Sequence, residues 1–128
     1  LIPQIDTRYG SSQINSRIGL SANAYAFSPD FDLYDYAKVN LANNPRIQCI
    51  LVDEAQFLTK NQVRQLSDVA DNLHTPVLTY GLRSDFQGEP FEGSVYLWAW
   101  AEEMIEIKTI CDYGRKATMN LLVDAKGR

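Results

Sequence analysis

"RIQCILVDEAQFLT", Arg46 to Thr59, decides how this chain is read. An apolar run from Ile47 to Val52 ends abruptly on two adjacent acids, Asp53 and Glu54, and then on Gln56 and Phe57. A short continuous apolar run bounded by polar residues fits a strand covered on both faces. In such a run Cys49 behaves as a small hydrophobe. The acids then sit where the strand leaves the core.

The residues that follow supply the partner elements. In "TKNQVRQLSDVADNLH", Thr59 and Gln62 are spaced as a capping box. Val63, Leu66, Val69, Ala70 and Leu73 recur at helical spacing, and His74-Thr75-Pro76 ends the helix. "PVLTYGL" is a second apolar strand, followed by the polar loop "RSDFQGEPFEGS". A strand, a capped helix and a strand in succession form a βαβ unit and imply a parallel sheet.

Upstream, residues 1–30 read as loop, since Pro3, Gly10, Gly19 and Pro29 interrupt any period. Phe31 to Asn43 has helical spacing at Phe31, Tyr34, Ala37 and Leu41, with Asp30 or Asp32 as cap and Asn44-Pro45 as stop. Downstream, "SVYLWAWAE", Ser94 to Glu102, reads as a short helix with too many aromatics for one buried face, so part of it suits a subunit contact. "MIEIKTIC" and "KATMNLLVD" read as two strands joined by "DYGR".

Composition sets the outer limits. The chain has 128 residues, 45% hydrophobic and 22% charged, which is the balance of one globular domain. Its net charge is −4 and it has no Lys/Arg run, which argues against a nucleic-acid groove. No apolar stretch approaches the ~20 residues of a membrane span. The chain opens on Leu1 rather than Met and shows no signal-peptide pattern. Two widely spaced cysteines, Cys49 and Cys111, fit a reducing, cytoplasmic setting.

In a parallel α/β sheet, ligands bind beyond the carboxyl ends of the strands. An Asp at that point can hold Mg2+, as the acid at the end of the corresponding strand does in P-loop nucleotide enzymes. Extended geometry would turn Glu54 to the opposite side, free to accept a proton. "VDE" alone is equally compatible with a chain simply leaving its core. The P-loop pattern G-x-x-x-x-G-K-[ST] is absent from these residues, so they cannot complete a nucleotide site by themselves. A hydrolase using Asp53 and Glu54 would ordinarily gather more carboxylates or histidines than this sequence offers.

Taken together, "IDTRYG", "SRIGL", "CILVDEAQFLT", "TPVLTYGLRSDFQGEPF" and "KTICDYGRKATM" resemble the bacterial and cytosolic type of thymidine kinase, over nearly all of the chain and in the same order. The resemblance implies an α/β, P-loop kinase-like (RecA-like) core over 1–106, with its P-loop strand upstream of Leu1. It also implies the first half of a zinc-ribbon-like β element over 107–128, with a lasso loop and a second ligand pair beyond Arg128. The chain thus reads as an internal piece. The implied activity is transfer of the ATP γ-phosphoryl group to thymidine, with Mg2+, in a homotetramer. The implied roles are Glu54 as general base, Asp53 in the metal shell, and Asp6 and Arg8 beside the phosphates, with Arg17 nearby. Phe57, Phe86 and Phe91 would surround the nucleoside, and Met119 and Asn120 would lie beside the thymine methyl. Phe57 could instead be core packing, Met119 serves equally as strand packing, and Asp85 could orient its loop, touch the metal region or be simply a solvated acid. Cys111 matches one zinc ligand, but Tyr113 stands where a second cysteine is expected, and one cysteine cannot supply four ligands. The alternative is a non-catalytic, degenerate P-loop relative that only binds.

Overall fold

A computed structural model describes residues 1–4, 13–16 and 18–127. Its elements, in chain order, are β1 (Ile2–Pro3), β2 (Gln13–Asn15), β3 (Ser21–Asn23), β4 (Ala26–Phe27), α1 (Leu33–Asn43), β5 (Ile50–Val52), a 3-10 turn (Ala55–Phe57), α2 (Lys60–Asn72), β6 (Val77–Thr79) and α3 (Glu92–Trp100).

The β5–α2–β6 unit forms as expected. β5 and β6 run parallel, with Ile50, Leu51 and Val52 in register with Val77, Leu78 and Thr79. The helix between them starts at a complete capping box. Thr59 Oγ1 accepts the Gln62 N–H and Gln62 Oε1 accepts the Thr59 N–H, each at 3.2 Å. The Gln62 amide then donates to the Ser28 and Phe31 carbonyls, so this buried side chain also fixes the chain entering α1. α1 begins at Leu33 because Asp32 caps it, Oδ1 accepting the Asp35 N–H at 2.8 Å. Val52, Ala55, Leu58, Val63 and Leu66 close around Phe27 and Leu33 as one core.

Several sequence expectations need correction. The first thirty residues are not all loop. β1 and β4 pair in parallel, and β2 and β3 form an antiparallel hairpin. These strands have only two or three residues each, too short to show a period. Asp53 N–H donates to the Leu1 carbonyl at 3.0 Å and the Leu1 amino group donates to the Leu51 carbonyl at 2.8 Å. The β1–β4 pair therefore lies beside β5.

Nor is β5 covered on both faces. Val52 is 0% exposed, whereas Leu51 is 51% exposed and Leu78, its register partner, is also open to solvent. Side chains alternate across a strand, so Cys49 shares the open side with Leu51 and is exposed rather than packed. The downstream strands likewise shrink to a single antiparallel bridge, Ile110 with Lys116, around the tight turn from Cys111 to Gly114. A two-stranded ribbon is marginal without a third strand or a packed face. Its other link is an ion pair between Lys116 and Glu106, and this ammonium holds the Glu106 carboxyl below its usual range.

α2 ends with His74 at φ 49, the left-handed conformation that usually falls to glycine or asparagine after a helix. This backbone turn accounts for the helix stop. A non-glycine residue there costs about 1–2 kcal/mol, and glycine's extra unfolded-state entropy offsets part of any gain. His74→Gly should therefore stabilise the fold by about 0.5–1 kcal/mol. A rise in the urea midpoint at unchanged slope would register it; a fall would refute the left-handed assignment.

Candidate active site at the end of β5

The two acids occupy the point where β5 gives way to the 3-10 turn, at the carboxyl end of a parallel strand pair. Strand alternation does not govern them, because the backbone leaves the extended conformation at the second acid. Glu54 is left-handed, φ 52 and ψ 36, and the turn at this residue divides the pair. Asp53 Oδ1 accepts the Glu54 N–H at 2.9 Å. The Asp53 side chain lines a hollow of about 400 Å³ together with Leu1, Ile14, Asn23, Leu51 and Tyr80. The Glu54 carboxylate is instead held by the Gln56 amide, Nε2 donating to Oε2 at 2.5 Å.

Gln56 is 2% exposed, an unusual place for a primary amide, and both ends of that amide are satisfied. Its Oε1 accepts the Leu82 N–H at 3.1 Å. The Leu82 carbonyl in turn accepts from the buried Ser94 hydroxyl at 2.5 Å. Leu82 is thus gripped through its N–H by the turn after β5 and through its carbonyl by α3. Beyond it lies the loop that carries Phe86 and Phe91.

That loop is internally braced. Asp85 Oδ1 accepts the N–H groups of Gln87 and Glu89 at 2.8 and 3.0 Å, and Ser84 bridges to Pro90. Asp85 therefore organises the loop, one of the three readings open to it from sequence. Phe57 and Phe91 meet edge to face, ring centroids 5.4 Å apart, an arrangement aromatic quadrupoles favour. Asn120 Nδ2 donates to the Ser84 carbonyl at 3.3 Å, and Met119 reaches the backbone at Gly88. The expected residues Glu54, Phe57, Phe91, Met119 and Asn120 are thereby linked, contact by contact, to one loop. Phe86 is carried on the same loop and is exposed.

α3 reaches the site through Gly93. A Cβ there would lie 2.5 Å from the Ala55 carbonyl oxygen and 2.9 Å from those of Gln56 and Leu58, so only glycine allows the helix so close to the turn. Glu92, beside it, accepts the Lys60 N–H and so caps α2 as well. The helix spans Glu92–Trp100 rather than the expected Ser94–Glu102. Tyr96 and Leu97 pack on the core while Val95, Trp98 and Trp100 are exposed, so its aromatics are divided between interior and surface.

Asp6, Arg8 and Arg17 lie outside the described residues. For Mg2+, a strand-end carboxylate such as Asp53 is a suitable donor, because this ion usually takes one or two carboxylates and fills its shell with water and phosphate oxygens. Zn2+ is a different case. A closed zinc site needs about four ligands, and among the described residues no three His, Cys, Asp or Glu side chains come together. Cys111 and the exposed Tyr113 do not make such a site. Among the described residues, no helix is long and apolar enough to cross a membrane.

Gln56, Gly81 and Ser94 were not singled out from sequence as site residues. The available signal was a lone amide between Ala55 and Phe57, in a turn otherwise made of core residues.

A parallel βαβ unit with paired acids at its strand end and an aromatic loop fastened beside them defines an α/β domain. The thymidine kinase family profile matches residues 1–128, and the chain belongs to that family. It is 59% identical over 126 residues to the thymidine kinase of Coxiella burnetii, covering 98% of this chain and 64% of that protein. It is 54% identical to the thymidine kinase of Rhodopirellula baltica, covering 100% of this chain and 60% of that one. Against the thymidine kinase of Legionella pneumophila strain Lens the identity is 53%, covering 98% and 60%. The chain thus spans somewhat under two thirds of the length of these relatives.

Proposed function

We propose that the protein containing this chain is an ATP-dependent thymidine kinase. The observation that carries the reading is the linkage from the Glu54 carboxylate through Gln56 and Leu82 to the loop of Phe86 and Phe91. It fastens a proton acceptor to a surface suited to a flat, uncharged base.

In this reading Phe57, Phe86 and Phe91 embrace the nucleoside, with Met119 and Asn120 beside the thymine. Glu54 takes the proton of the 5′-hydroxyl as that oxygen attacks the γ-phosphorus, and the bond from the γ-phosphorus to the β-phosphate bridging oxygen breaks, releasing ADP. Asp53 would hold Mg2+, which when bound would neutralise charge on the phosphates, and Arg8, with Asp6 nearby, would stabilise the transferring group. The phosphate-cradling loop comes from residues outside these 128, within a P-loop kinase-like core that includes residues 1–106. The segment 107–128 belongs to a separate β element, in which Cys111 would supply only one of a zinc site's four ligands. The exposed Val95, Trp98 and Trp100 on α3 suit a contact between subunits, in keeping with a cytoplasmic homotetramer.

The decisive experiment incubates the full-length protein with ATP, Mg2+ and thymidine and follows thymidine 5′-monophosphate. Turnover is expected from the full-length protein and not from the 128-residue piece. Thymidine binding without turnover in the full-length protein would favour the non-catalytic alternative, and turnover by the piece alone would overturn the assignment of phosphate binding to other residues.

A further inference from the structure

We propose that Gln56 is a positioning residue that sets the Glu54 carboxylate and the nucleoside loop in fixed relation, an inference that rests on Glu54 being the proton acceptor. Glu54 holds a left-handed backbone. That conformation costs about 1–2 kcal/mol outside glycine and persists only where the surroundings determine it more than once. Two contacts do so here. Asp53 holds the Glu54 N–H from behind, and Gln56 holds its carboxylate from the front.

Gln56 is itself not free to turn. Its Oε1 is committed to the Leu82 N–H, which leaves only Nε2 facing Glu54. Gly81 closes the pocket around that amide, since a Cβ there would fall 2.7 Å from Gln56 Oε1 and 2.9 Å from the Gln56 nitrogen. The two hydrogen bonds of one buried amide therefore measure the separation between the acid and the loop. A carboxylate held on one oxygen keeps its other oxygen for a substrate hydroxyl. Freed of Gln56, Glu54 would be an exposed side chain with several rotamers and no defined reach.

The two halves of the amide can be tested apart. Gln56→Glu keeps an acceptor for Leu82 and removes the donor to Glu54, setting a second carboxylate against the first. In the full-length protein kcat should fall roughly 10–100-fold while thymidine KM stays within about threefold, the pattern of a misplaced reacting group. In a Glu54→Gln background the same change should cost nothing further, because both substitutions disable one unit. An unchanged kcat in Gln56→Glu, or a loss that multiplies in the double variant, overturns the proposal. So does a raised KM at constant kcat, which would mark Gln56 as a loop support only. If Gln56→Glu does not fold by circular dichroism, the uncharged Gln56→Met is measured against the same criteria of kcat loss and non-additivity. The failures are distinguishable. An undiminished rate in Glu54→Gln removes the proton-acceptor reading itself, whereas a full loss there beside a normal Gln56→Glu removes only the positioning role.

Discussion

Glu54→Gln in the full-length protein is expected to lower kcat for thymidine phosphorylation by roughly 10²–10⁴-fold, the span usual for removing a general base. The substitution is close to isosteric, and its amide oxygen can still accept the Gln56 hydrogen bond, so the turn at residues 54–57 should survive. What it removes is the ability to take a proton. The Glu54 side chain is held by Gln56 and its backbone carbonyl accepts the Phe57 N–H, contacts that glutamine can keep, so thymidine affinity measured by calorimetry should be nearly unchanged. A variant that binds thymidine normally and turns over normally would end the base assignment.

Gly93→Ala carries the second large effect, this time on the fold. Alanine at a helical position ordinarily gains up to about 1 kcal/mol over glycine. Here the added methyl would meet three backbone carbonyl oxygens at 2.5–2.9 Å. Those oxygens belong to the turn and to Leu58, which sit in or beside the core and cannot retreat as a side-chain tip could. Overpacking of this kind costs about 1–3 kcal/mol and sometimes more, so it exceeds the helix gain. We expect a net loss of about 2 kcal/mol in urea unfolding, together with weakened thymidine binding as α3 carries Phe91 away from Phe57. A neutral or stabilising outcome would mean that α3 does not approach the turn this closely.

Local chemistry was legible in the sequence wherever one segment sufficed to determine it. The capping box at Thr59 and the β5–α2–β6 succession could be read from spacing, and the cap of α1 was narrowed to Asp30 or Asp32, because each depends on residues within a turn or two. Where an outcome depends on a distant partner, the sequence was silent or misleading. "CILV" has the composition of a strand buried on both sides, yet only Ile50 and Val52 find cover. "MIEIKTIC" has strand composition, but strand assignment needs a neighbour, and among the described residues only Ile110 has one, Lys116. At the site, residue types could be nominated from the family resemblance. The left-handed turn at Glu54 and the burial of Gln56 could not, since neither residue type favours that state. Asp85 shows the intermediate case: its three possible readings were visible, and only the loop's own N–H groups decide among them.

The open side of the β5–β6 pair has a practical corollary. Leu51, Leu78, Tyr80 and Leu82 present greasy surface next to a strand edge, and Ile105, Ile107 and Ile110 add more beyond α3. Uncovered apolar patches and bare edges of this kind are where polypeptides adhere to one another. Handled in isolation these 128 residues should be colloidally fragile, and cloning boundaries that keep the neighbouring sequence attached are the sounder choice for anyone preparing the material.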